Sequence, residues 1–152
     1  MTQLEMAEGK KSSEQLRSVC RLEGCSLKYL KEKLASGRAV IPNNRRRRIK
    51  GVCGIGEGLR TKINANIGTS TDKSSLPEEL KKLKVSLEYG ADTVMDLSTG
   101  GDIPLIRKAI LKASNIPVGT VPIYEAAVES TRRRGSFLKM RSEDIIEVIK
   151  SQ

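Results

Sequence analysis

The sequence has no histidine, no tryptophan, one phenylalanine and three tyrosines in 152 residues. Without histidine there is no imidazole to ligate a metal or to serve as a general base. No nucleophile–base pair and no metal-ligand cluster stands out among the remaining side chains. With so few aromatics, the core must rest on Leu, Ile, Val and Ala. No apolar run approaches the ~20 residues of a membrane-spanning helix, so no membrane partner is expected. The opening MTQLEMAEGKK lacks the apolar stretch of a secretory signal. Cys20, Cys25 and Cys53 are odd in number and show no CxxC spacing. They read as free thiols in a reducing compartment, and a cytoplasmic location is expected.

Charged residues make up 30% of the chain and apolar residues 38%, the balance of a soluble globular protein long enough for one ordinary domain. The net charge of +10 is uneven. Residues 1–50 carry 13 Lys/Arg against 5 Asp/Glu, a net of +8, whereas residues 51–152 carry 15 against 13, a net of +2. The densest part is Arg45-Arg46-Arg47-Arg48-Ile49-Lys50. Such a run can neutralise phosphates, but no aromatic interleaves the arginines to stack on bases. A solvated loop is the expectation, and nucleic acid is not an expected partner.

Two regions differ in pattern. Residues 1–50 read as a small helical region with a basic loop. Ser13 can cap a segment carrying Leu16, Val19 and Cys20 that stops at Gly24. Ser26 can cap a second with Leu27, Leu30 and Leu34 on one face, stopping at Gly37. Residues 51–152 alternate strand and helix. Strands are predicted at 61–67, 92–97 and 117–121. A helix from Ser75, with Glu78 as capping-box partner, carries Leu76, Leu80, Leu83 and Leu87 and ends at Gly90. A second, capped by Asp102, places Ile103, Ile106, Ile110 and Ala113 on one face. A third runs to about Arg134. A last one starts near Ser142, where Glu143 and Asp144 suit its positive end.

Strands alternating with amphipathic helices predict parallel βαβ units. Asn66, Met95 and Tyr124 are spaced 29 residues apart, each near the end of a predicted strand. A repeat of about 30 residues is what one unit occupies in a (βα)8 barrel of ~250 residues. The expected fold is therefore α/β, a partial (βα)8 barrel of about three parallel units preceded by the helical region. A Rossmann-like sheet is the alternative, but Gly54-Ile55-Gly56-Glu57-Gly58-Leu59 breaks the GxGxxG spacing and precedes a strand. Polar and glycine-rich stretches fall at the expected C-terminal strand ends: Asn66–Ser70, Asp96–Asp102 and Thr120–Tyr124. In parallel α/β folds that rim binds ligands.

At these stretches the chain resembles a known family. GIGEGLRTKINANIGTS at 54–70, YGADTVMDLSTGGD at 89–102 and IPVGTVPIYEA at 116–126 are similar to the ThiC family of phosphomethylpyrimidine synthases. TQLEMA at 2–7 and GRAVIPNN at 37–44 are similar to its N-terminal region. The resemblance implies a radical-SAM lyase of thiamine biosynthesis. Such an enzyme converts aminoimidazole ribonucleotide to hydroxymethylpyrimidine phosphate, using S-adenosylmethionine and a [4Fe–4S] cluster, with a zinc site and a homodimer. It further implies that Asn66, Met95 and Tyr124 contact the substrate. Asn66 would offer an amide, Met95 a thioether against the flat imidazole, and Tyr124 a ring and a hydroxyl. Each also has a structural reading, as turn residue, core filler and helix-start packing residue respectively. Asp96 and Asp102 could pair as an acid and a base, but a rim hydrogen-bonding group and a helix cap are favoured. Arg60 and Lys62 are left without a role.

The sequence departs from the family in having Arg45–Arg48 where a His-containing stretch is usual. It also reaches Gln152 before the later strands, the zinc histidines and the CxxCx4C motif, so the cofactor ligands are expected outside this chain. Expected partners are the ribonucleotide and either the missing C-terminal portion or a second subunit. Catalysis by these residues alone is not expected. The alternative is a non-catalytic accessory or relic that binds the ribonucleotide or a full-length synthase.

Overall fold

A computed structural model describes residues 2–9, 11–44, 47 and 49–152. Arg45, Arg46 and Arg48 of the basic run lie outside the described residues. The chain divides into two compact units. One comprises the chain up to Ile63 with Asn115–Pro117, and the other comprises Asn64–Ser114 with Val118–Gln152.

The first unit holds α1 (Gln3–Glu8), α2 (Glu14–Glu23), α3 (Leu27–Ala35) and a short antiparallel pair, β1 (Ala39–Val40) with β2 (Ile55–Gly56). Its helices begin where hydroxyls satisfy free amides. The Ser13 hydroxyl accepts from Leu16 N at 3.0 Å and the Ser26 hydroxyl from Tyr29 N at 3.1 Å. α2 stops at Gly24, whose φ of 65° is costly for a residue with a Cβ. The apolar faces meet in a core of Leu16, Val19 and Leu30, all fully buried, joined by Ala7, Leu34, Ala39 and Ile41.

The second unit is built on three parallel strands, β3 (Asn64–Ile67), β4 (Thr93–Asp96) and β5 (Val118–Thr120), in that spatial order. The connections are α4 (Leu76–Glu88) and α5 (Ile103–Ala113). After β5 come α6 (Pro122–Arg134), a 3-10 turn at Phe137–Lys139 and α7 (Ser142–Ser151). The strands alternate as a pleated sheet with one covered face must. Ile67, Val94 and Asp96 are buried, whereas Asn64 and Asn66 are exposed and Thr93 and Met95 half-buried. Leu83 of α4 and Ile103, Ile106 and Ile110 of α5 complete the buried apolar set, with Ala126 of α6. Asp102 caps α5 as expected, accepting from Leu105 N at 3.0 Å.

Four local expectations change. β3 starts at Asn64, not at residue 61, because the preceding stretch is committed elsewhere. Glu23 accepts Arg60 N at 2.7 Å and pairs with Lys62 at 2.8 Å. Ser75 occupies the N-cap of α4 but makes no side-chain capping bond, and Glu78 pairs with Lys73 at 3.1 Å instead of closing a box. Ala113, at the last turn of α5, is exposed. The third strand is confined to Val118–Thr120, since Val121 is already the N-cap of α6.

Candidate functional site

The open face of the sheet carries the candidate site. Parallel pairing sets Asn64 beside Thr93, and places Asn66, Met95 and Gly119 in one row across the three strands. Neighbours in such a row point the same way, so an amide, a thioether and a bare backbone share one surface. The Thr93 hydroxyl donates to Asn64 Oδ1 at 2.8 Å, and Asn64 Nδ2 donates to Asn66 Oδ1 at 2.9 Å. This relay uses the Asn66 oxygen, so the donors that Asn66 can offer a ligand are its amide N–H groups.

Of the three residues singled out in the sequence, Asn66 and Met95 are therefore direct neighbours. Tyr124 is not in their row. It sits in the first turn of α6, 43% exposed, its N–H bonded to Val121 O at 3.0 Å. The β5 partner of Met95 is Gly119, five residues before Tyr124. Asn64, Thr93 and Gly119 were not singled out in the sequence. The first two could have been found from the two-residue strand period, which puts them on the face of Asn66 and Met95.

Just past the strands, the loops are tied together by buried polar groups. Asp96 Oδ1 accepts from Ser98 N at 3.0 Å and from the Ser98 hydroxyl at 2.5 Å. That hydroxyl accepts from Thr69 N at 3.1 Å, and the Thr69 hydroxyl donates to Gly100 O at 2.7 Å. Thr69, Asp96 and Ser98 are all buried. Each buried polar atom thus has a partner, as a rigid loop pair requires. Asp96 is consumed by this network and Asp102 by its cap, so neither stands as an acid–base pair. Lys62 is held by Glu23, both side chains 5% exposed, so it is a structural cation. Burial pushes the Glu23 carboxyl up, but the hydrogen bonds from Lys62 and from Arg60 N outweigh it and leave the group below the usual range.

Among the described residues, no group of three or more Cys, Asp or Glu is placed to hold a metal ion. Cys20, Cys25 and Cys53 form no disulfide. The residues present therefore do not fit a [4Fe–4S] cluster, whose iron is held by grouped cysteine thiolates, nor a zinc site. What the arrangement can do is position a ligand. It offers amide donors from Asn66 and a polarizable sulfur from Met95, whose side-chain end lies over Gly119. No helix among the described residues is long and apolar enough to cross a membrane.

Residues 2–152 match the family model described as the radical SAM ThiC family. The chain is similar to phosphomethylpyrimidine synthases. It is 52% identical to that of Thermodesulfovibrio yellowstonii over 149 residues, 98% of this chain and 35% of the relative. It is 47% identical to that of Dehalococcoides mccartyi over 152 residues, covering 35% of the relative. With that of Thermus thermophilus it shares 48% identity over 150 residues, 34% of the relative. The chain thus spans about a third of the length of the curated relatives it matches.

Proposed function

The chain belongs to the radical SAM ThiC family, and from that premise we propose that its open sheet face is part of the ribonucleotide-binding surface of a phosphomethylpyrimidine synthase. In this reading the enzyme takes aminoimidazole ribonucleotide to hydroxymethylpyrimidine phosphate in thiamine biosynthesis. S-adenosylmethionine, a [4Fe–4S] cluster and zinc are its cofactors, held by residues other than these. The three strands are the opening units of a (βα)8 barrel, working in a cytoplasmic homodimer. Asn66, Met95 and Tyr124 contact the substrate. Conversion is proposed for the length that the relatives share, not for these 152 residues alone.

The observation that carries the reading is the polar open face. Parallel sheets are ordinarily covered by apolar layers on both sides, yet Asn64, Asn66 and Thr93 occupy one face here. A polar face needs a polar neighbour such as a solvated ligand. Asn66 would donate to the ribonucleotide, and Met95 would lie against its flat imidazole. Tyr124 would reach it from the first turn of α6.

The test is an NMR titration of the isotopically labelled chain with aminoimidazole ribonucleotide. The Asn66 side-chain amide, the Met95 methyl and the Gly119 amide should shift together, at millimolar ligand or above. A few hydrogen bonds at about 1 kcal/mol each barely offset the freedom lost on binding. Shifts confined to residues 47–50, or none at all, would overturn the reading.

A further inference from the structure

Gly119 is a glycine that backbone geometry does not demand. It lies within β5, and its φ is not among the positive values that mark the turn glycines. A strand interior ordinarily disfavours glycine, which has no side chain to pack and costs more entropy to order. The reason for its presence lies on the next strand. A Cβ at position 119 would stand 2.9 Å from Met95 Sδ and 3.0 Å from Met95 Cε. The nearest other atom, Val94 O, is 4.0 Å away. The end of the Met95 side chain thus lies across β5, in the space that any larger residue at 119 would fill.

We propose that Gly119 is a positioning residue of the ribonucleotide site, one that leaves room for the Met95 thioether and so fixes where the sulfur meets the ligand's flat heteroaromatic ring. The inference rests on the proposed function above. It adds a residue whose own atoms need not touch the ligand. A thioether contributes to ring binding through a short-range contact, so displacing sulfur by about an ångström removes much of that gain. Methionine is flexible and can swing away from an added methyl group at little cost in stability. Loss of binding and loss of fold are thereby separable at this position.

The experiment uses four forms of the chain: wild type, Gly119→Ala, Met95→Ala and the double variant. Thermal unfolding comes first. Gly119→Ala should unfold at or above the wild-type temperature, because alanine restricts the unfolded chain. Without ligand, the methionine methyl spectrum should show the Met95 signal moved by Gly119→Ala and the Met6 signal unmoved. Titration with aminoimidazole ribonucleotide should then show Gly119→Ala binding roughly two- to tenfold more weakly, the range of a sulfur–ring contact. In the Met95→Ala background the same substitution should change nothing further. Equal loss in both backgrounds, an unmoved Met95 methyl, or unchanged binding by Gly119→Ala overturns the role of Gly119. A flat wild-type titration is a different result, since it removes the ribonucleotide reading itself. Should Gly119→Ala unfold early, Gly119→Ser provides a second probe of the same space, and early unfolding of both would make the glycine structural and overturn the proposal.

Discussion

The carboxylate of Glu79 in α4 accepts the backbone N–H of Gly68 at 2.8 Å, with only 3% of the residue exposed. Lys82, one turn on, pairs with Glu79 and also donates to Gly68 O at 3.1 Å. Gly68 has φ 148°, and a Cβ there would fall 2.6 Å from the Leu97 carbonyl carbon. The helix that leaves β3 therefore turns back to hold the end of β3 against the loop of β4, two residues beyond Asn66. Glu79→Ala should strand the Gly68 N–H and cost about 1–3 kcal/mol. Glu79→Gln keeps an acceptor and should cost less. Urea unfolding midpoints check the order; equal midpoints for wild type and Glu79→Ala would show that the bond contributes nothing.

The relay on the open face leads to a second expectation. Thr93→Val keeps the β-branched shape but removes the donor to Asn64. Asn64 then loses its fixed orientation, and so does the amide of Asn66. These bonds are exposed, so the effect on ribonucleotide binding should be modest, about two- to fivefold, from ~0.5–1 kcal/mol. Thr93→Ser should restore wild-type binding. The Asn66 side-chain amide resonance reports the change directly, and an unmoved signal in Thr93→Val would rule the relay out.

Much of this was legible locally. Ser13, Gly24, Ser26 and Asp102 cap as their types suggest, because a cap depends on residues within one turn. The parallel order of the strands follows from the alternation of strand and helix. What failed depended on distant partners. The start of β3 was misplaced because Glu23 captures Arg60 and Lys62, a pairing no local window contains. Equal spacing put Asn66 and Met95 side by side, because 29 residues separate registered positions of β3 and β4. From Met95 to its β5 partner Gly119 the separation is only 24, since α5 and its loops are shorter than α4 and its loops. Tyr124 lies beyond the predicted third strand, in the first turn of α6, and the significance of Gly119 is visible only in the register.

Acid should loosen the C-terminal helices through one carboxylate. Asp144 receives Arg134 Nη1 at 2.6 Å and Nη2 at 2.8 Å, and caps α7 by accepting Arg141 N at 2.8 Å. The Arg134 bonds, then the Arg141 amide, hold its carboxyl well below the usual carboxylate range. A folded-state pKa depressed below the unfolded value stabilises above that unfolded value, near 3.8. The contribution is lost as the pH falls through the folded pKa. Wild type should thus lose stability below about pH 4. Asp144→Asn should start less stable at pH 6 and show a shallower decline, as urea unfolding at several pH values would register. Parallel decline in both forms would mean that other carboxylates dominate.

The buried pair Glu23–Lys62 should matter more than a surface ion pair. Both side chains are 5% exposed, so removing Lys62 leaves the Glu23 carboxylate with only Arg60 to offset its charge. Lys62→Met should cost about 1–3 kcal/mol, less than stranding a fully buried charge, because Glu23 keeps its bond from Arg60 N. Adding Glu23→Gln should recover part of it, since the amide oxygen can still accept from Arg60 N. Chemical unfolding of the single and double variants decides this. A double variant no more stable than Lys62→Met would show that charge burial is not the source of the cost.

Iron and sulfide should not build a stable cluster on this chain. Iron–sulfur clusters are held by thiolates, and their cysteines must converge on one site. Cys53 is buried, and Cys20 and Cys25 are half-buried on either side of the Gly24 cap. Burial, followed by the charge and hydrogen bond of Cys25, pushes the Cys20 thiol above its ordinary value. A thiol so raised holds its proton at neutral pH and is a poorer ligand and nucleophile than a free cysteine. Two neighbouring sulfurs, one of them reluctant to ionise, can pick up iron loosely but do not make the set of three converging thiolates that a CxxCx4C motif supplies. Anaerobic reconstitution followed by desalting should therefore leave no cluster absorbance on the wild-type chain. Cys20→Ala, Cys25→Ala and Cys53→Ala should give the same spectrum. A cluster band that survives desalting and disappears in any of these variants would show that this chain takes part in holding the cluster, and the ligand-positioning role proposed here would then have to be enlarged.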